Sequence, residues 1–80
     1  MNQFVERART ILARELNVDP IRLTPTTRLR EDLGMDSIIA LNVIFAAERE
    51  LEITILEGDV VSLQTVRDLE VLIDRLSGTL

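Results

Sequence analysis

Glu31-Asp32-Leu33-Gly34-Met35-Asp36-Ser37 leads into Ile38-Ile39-Ala40-Leu41-Asn42-Val43-Ile44-Phe45-Ala46-Ala47, and the rest of the chain is arranged around this stretch. From Ile38 to Ala47 one residue in ten, Asn42, is polar. Gly34 supplies a turn, and the Asp36-Ser37 pair supplies a helix-start signal, so the chain turns a corner here. The corner presents the Ser37 hydroxyl at the positive end of a helix dipole, where an anionic group is favoured. Ser37 is the expected point of covalent modification.

Upstream, Phe4, Val5, Ala8, Ile11, Leu12 and Leu16 recur at three- and four-residue steps, which predicts an amphipathic helix over about residues 3–16. Asn2 is its expected cap and Asn17 its left-handed stop, with Asp19-Pro20 beyond the end. From Val18 to Asp36 the periodicity dissolves. Pro20 and Pro25 restrict their neighbours, and Thr24, Thr26 and Thr27 compete locally for backbone hydrogen bonds. Ile21, Leu23, Leu29 and Leu33 are expected to pin this long connection to the helices, and a connection of such length often carries function.

The second helix is predicted from Ser37 to Leu51, with Ala40, Leu41, Ile44, Ala47 and Leu51 on one broad face. Ile38, Ile39 and Phe45 fall beside or beyond that face. In a chain of 80 residues so much apolar circumference is hard to bury, which points to a ligand or a partner. Glu52 to Leu56 reads as an extended connector with Ile53 or Ile55 inward, and Glu57 to Val61 as one helical turn. Thr65 and Asp68 form a capping box for a last helix over 65–77, where Val66, Leu69, Leu72, Ile73 and Leu76 keep helical spacing and Gly78 ends the pattern. The expected fold is all-α: a small four-helix bundle of three main helices plus one short helix, with a long ordered loop between helices one and two, in a single domain spanning 1–80.

Composition narrows the chemistry. Fourteen acidic residues against nine basic ones give a net charge of −5, and every basic residue is arginine. An acidic surface disfavours nucleic acid and anionic membranes and favours basic protein partners. With no histidine, cysteine or lysine there is no usual base for a serine nucleophile, no thiol and no Schiff-base amine. No catalytic residue and no metal ligand set is expected, so the chain reads as a non-enzyme. The longest apolar run is too short to span a bilayer, and no signal peptide is visible at Met1-Asn2-Gln3; a cytoplasmic protein is expected.

The Leu33-Gly34-Met35-Asp36-Ser37-Ile38 core, set between a first helix with its threonine- and proline-bearing loop and a closing helix near Gln64-Thr65-Val66, resembles the acyl carrier protein family. The resemblance covers nearly the whole chain. It implies that Ser37 receives 4′-phosphopantetheine from coenzyme A through a separate phosphopantetheinyl transferase, with Asp36 orienting the hydroxyl or helping the transferase hold its metal. The arm's thiol would carry acyl intermediates as thioesters, which accounts for a working thiol in a chain without cysteine. The partners implied are acyl-transferring, acyl-activating or condensing enzymes of fatty-acid, polyketide or related lipid biosynthesis. Ile38, Ile39, Leu41, Asn42, Phe45, Ala46, Glu48 and Leu63 are the expected partner or acyl-chain contacts. Compared with bacterial fatty-acid carriers, Ile39 and Asn42 stand where acidic residues are usual, Arg49 adds a positive charge beside Glu48, Leu56 replaces a common proline, and Gly58 loosens the third segment. A specialised carrier, monomeric and free-standing, is expected rather than a general fatty-acid one. A peptidyl or aminoacyl carrier, or an unmodified helical interaction module, is the alternative.

Overall fold

A computed structural model describes residues 3–78. Helix α1 spans Gln3–Leu16, α2 Ser37–Leu51, α3 Glu57–Val61 and α4 Val66–Ser77, with a short 3-10 turn at Pro20–Arg22 between α1 and α2. The four-helix reading therefore holds, down to the short third helix. The expected Asn2 cap lies outside the described residues.

Helix α1 is central. It packs against both α2 and α4, burying Val5, Ala8, Ile11, Leu12 and Ala13. Its end is a left-handed cap: Asn17 has φ 55, its amide donates to Arg14 O at 3.2 Å, and the Val18 amide reaches back to Ala13 O at 3.0 Å. Those two bonds satisfy carbonyls that a helix end otherwise leaves open. Arginines on α1 tie it to its neighbours. Arg14 Nη2 lies 2.6 Å from Glu50 Oε2, Arg7 donates to Glu50 O at 2.6 Å, and Arg9 meets Glu70 of α4 at 3.0 Å.

The long connection is ordered by its contact with the start of α4. Leu29 N donates to Gln64 O at 2.8 Å, Val66 N to Thr27 O at 2.9 Å and Arg67 N to Pro25 O at 3.1 Å. Within α4 the Asp68 amide donates to Thr65 Oγ1, and Leu69 N to Thr65 O. Asp68 returns its carboxylate to the Gln64 and Thr65 amides, completing the capping box. All the donors of the first α4 turn are thus used. Leu23, Leu29 and Leu33 are buried beneath the loop as expected.

Ile21 is not a pin: it is 82% exposed. Asp19 accepts the Ile21 amide and Leu23 N donates to Pro20 O, so the 3-10 turn sends Leu23 inward and leaves Ile21 on its outer side. Helix α2 is also turned relative to its predicted face. Val43, Ala46, Ala47 and Leu51 are buried, whereas Leu41 is 50% exposed. A helix apolar nearly all round has a poorly defined inward side, and size decides. Small residues, Ala46 and Ala47 on α2 with Ala8 and Ala13 on α1, fill the common core in place of Leu41. The helix ends at Glu52, whose φ of 54 is left-handed without help from glycine or asparagine. Ile53 and Ile55 both pack against the core from the connector.

Asp32, Glu50, Asp59 and Asp68 all have carboxyls held below the ordinary range. The causes are, in turn, the Arg28 amide and guanidinium, the Arg14 guanidinium, the Arg75 guanidinium with the Leu56 amide, and the Gln64 and Thr65 amides. The folded state therefore binds these protons less readily than the unfolded chain. The stability they contribute is fully present above the unfolded values, near about 4, and is lost as the pH falls through the lower folded values. Thermal midpoints measured by circular dichroism should change little between pH 7 and 5 and fall as the pH drops below about 4; a midpoint that holds or rises there would contradict this account. Thr65→Ala should cost about 1 kcal/mol in urea unfolding, with the denaturant slope unchanged.

Candidate functional site

Two helix starts in this molecule are built differently. That of α4 is closed by the loop. That of α2 is open. Asp36, in extended backbone (φ −89, ψ −177), is its N-cap and accepts the Ile39 amide at 2.8 Å, while Ala40 N donates to Asp36 O. The amides of Ser37 and Ile38 have no acceptor among the described residues. Ser37, the first helical residue, is exposed, and its hydroxyl likewise has no hydrogen-bond partner there. The cap is thus Asp36, and Ser37 is left free of structural duty.

The approach to this corner is tied down by hydrogen bonds. Asp32 accepts the Arg28 amide at 2.8 Å and its guanidinium at 3.3 Å, and Asp32 N donates to Arg28 O. Gly34 N then donates to Arg30 O and Met35 N to Leu29 O, closing the turn through Gly34 at φ 69. A side chain at position 34 would meet nothing within 4 Å, so glycine is wanted there for its backbone angle and not for space.

Ser37 stands on the rim of a cleft of about 810 Å³. Its lining passes from Arg28, Arg30, Glu31, Gln64 and Thr65 to an aliphatic interior that includes Leu12, Met35, Val43, Ile44, Ile55 and Leu69. Val60 and Val61 of α3 form part of the opposite wall. This wall is held by polar ties. Ile55 N donates to Glu48 Oε2 at 3.0 Å, Leu56 N to Asp59 Oδ2 at 3.2 Å, and Arg75 of α4 meets Asp59 at 2.7 Å.

The residues expected at the site separate into groups. Ser37, Leu41 and Leu63 line the cleft. Ile38, 71% exposed, and Phe45, 57% exposed, stand with Asn42 on the outer face of α2 and do not line it. Ala46, at 2% exposure and outside the cleft lining, is part of the hydrophobic core. Glu48 is half-buried and holds the connector through the Ile55 amide, and Ile39 is half-buried and packs against the core. The sequence reading missed Ala40, Val60 and Arg30 as cleft residues. Ala40 belonged to the apolar run and was available to it; Val60 and Arg30 arrive by tertiary placement, which periodicity does not encode.

A family model described as a phosphopantetheine attachment site matches residues 6–73. An acyl carrier protein of Aster yellows witches'-broom phytoplasma (strain AYWB) is 34% identical over 64 residues, 80% of this chain and 84% of that protein. One from Thermosynechococcus vestitus is 36% identical over 70 residues, covering 85% and 86% respectively. Acyl carrier protein MbtL of Mycolicibacterium paratuberculosis is 42% identical over 60 residues, 75% of this chain and 67% of that protein. No helix among the described residues is long and apolar enough to cross a membrane. Helices, match and relatives agree: the chain belongs to the acyl carrier protein family, whose members are carriers rather than catalysts and bear a 4′-phosphopantetheine prosthetic group.

Proposed function

We propose that Ser37 is the residue that bears the 4′-phosphopantetheine group, and that residues 1–80 act as one carrier domain without catalytic activity of its own. The observation that carries this reading is the free Ser37 hydroxyl at an uncovered helix start, on the rim of an aliphatic cleft. The donor set suits the group: two unpaired amides and a helix dipole favour a phosphodiester on that oxygen. Bound there, the group supplies the thiol on which acyl units are carried as thioesters. Asp36 fixes the start of α2, and so positions the hydroxyl for a phosphopantetheinyl transferase.

The cleft supports an aliphatic acyl cargo over an aminoacyl one. Its interior offers alkyl surface and, among the described residues, no buried polar side chain to pair with an amine or amide, whereas burying unpaired polar groups is costly. The pathway is then fatty-acid, polyketide or related lipid synthesis, with acyl-transferring, acyl-activating or condensing enzymes as partners. The exposed face of α2 sets how those enzymes dock. Ile38, Leu41 and Phe45 form a stripe beside neutral Asn42, and Arg49, exposed and 3.5 Å from Glu50, lies further along. Apolar anchors prolong a complex, while rim charges mainly speed encounter. Such a face fits dedicated partners better than those that steer by an acidic helix.

Incubation with coenzyme A and a phosphopantetheinyl transferase should add the mass of one phosphopantetheinyl group, and Ser37→Ala should abolish the gain. No gain with several transferases would refute the attachment site. Because Asp36 is the cap, Asp36→Ala should cost about 1 kcal/mol of stability while Ser37→Ala leaves unfolding nearly unchanged. Loading with a saturated acyl chain should slow amide exchange around Leu41 and Leu63; identical exchange with and without the acyl chain would place the cargo outside the cleft. Phe45→Asp should shorten the complex with a cognate acyl-handling enzyme, raising the dissociation rate more than it lowers the association rate.

A further inference from the structure

We propose that Arg30 is the cation that holds the phosphate of the group borne on Ser37. The inference rests on the attachment reading above and concerns a residue that reading does not use. Two arginines line the cleft together with Ser37, namely Arg28 and Arg30. They differ in engagement. Arg28 is committed to Asp32 at 3.3 Å and to Glu31 at 3.8 Å, which raises its pKa and leaves little of its charge to offer. The Arg30 side chain is exposed and has no hydrogen-bond or ion-pair partner among the described residues.

Electrostatics at the corner call for such a charge. The protein is at −5, Glu31 lies on the same rim, and Asp36 adjoins Ser37 in sequence. A phosphodiester on Ser37 would stand beside the Asp36 carboxylate, and two like charges a few ångströms apart repel. The partial charge of a helix start offsets about half an elementary charge, and part of it is already answered by Asp36 as cap. A full guanidinium on the same rim supplies the remainder, and its planar donors suit phosphate oxygens.

The backbone makes position 30 a fixed platform. The Arg30 carbonyl accepts the Gly34 amide at 3.0 Å, and the flanking Leu29 is buried and bonded to Gln64. Arg30 thus starts from a turn locked against the residues that lead into Ser37, with a long flexible side chain to span the rest. Glu31, its neighbour, is turned toward Arg28 and does not neutralise it.

The test uses the full chain before and after loading with coenzyme A and a transferase, with intact mass to report conversion. Arginine side-chain Nε–H signals are recorded in both states, and Arg30→Gln identifies the Arg30 signal by its loss. Arg67, exposed and off the cleft, serves as the control. Loading should shift the Arg30 signal and slow its solvent exchange about two- to fivefold, the range expected of an exposed ion pair. Added salt should reverse the slowing, and Arg67 should not respond. Full mass gain with an Arg30 response no larger than that of Arg67 overturns the proposal and leaves the attachment site standing. Absence of the mass gain removes the attachment reading, and the role of Arg30 falls with it.

Discussion

Three backbone hydrogen bonds between the long loop and the start of α4 organise the molecule. Thr27 and Pro25 lend carbonyls to the Val66 and Arg67 amides, and Leu29 in return takes Gln64 O. Each joins residues some 35 to 42 positions apart, so none can form before the chain has folded back on itself. Their effect is twofold. They satisfy donors that the α4 start would otherwise leave open, and they fix a loop that has no helix of its own beyond one 3-10 turn. Leu23, Leu29 and Leu33 then have a defined place to bury, and the turn through Gly34 delivers Asp36 and Ser37 in a set position.

The same constraint explains why one helix start is open and the other is not. Positive ends of helices attract acceptors, and a compact chain usually finds some for them. Here the loop spends its carbonyls on α4, so that α2 has Asp36 alone. Asp36 uses its carboxylate on the Ile39 amide and its carbonyl on Ala40, leaving Ser37 and Ile38 without acceptors among the described residues. An exposed serine at that place contributes little to stability. A residue without a structural task is free to be modified, because modification then disturbs no bond that the fold relies on.

Much of this was legible in the sequence, for reasons particular residues make clear. The bounds of α1, α2 and α3 and the capping box at Thr65 and Asp68 follow from local rules: periodicity, left-handed stops and side-chain caps. Those rules act within a few residues. What they did not deliver was rotation and reach. Leu41 was placed inward, yet Val43 and Ala46 take the interior, because α2 is apolar nearly all round and packing against α1 selects its small residues. Ile21 was counted as a pin because it is apolar, although its 3-10 turn leaves only Leu23 an inward path. Glu48 was expected as a partner or acyl-chain contact; the group it bonds, the Ile55 amide, lies seven residues on and across a corner. At the candidate site the serine and its cap were readable, and the cleft beside them was not, since its walls come from helices far apart in sequence.

The rotation of α2 has a consequence for how the cleft is walled. With Val43, Ala46 and Ala47 turned to the core, the side formed by α1 and α2 is part of the hydrophobic interior and is tied by Arg14 and Arg7 to Glu50. The side formed by α3 is different in kind. Helix α3 has five residues and buries none of them fully, and it is held by Asp59 to Arg75 and through the connector by Glu48 to Ile55. The residues that this side contributes to the cleft are Ile55, Val60, Val61 and Leu63. The cleft thus has one wall continuous with the packed core and another in which a short helix relies on two side-chain ties.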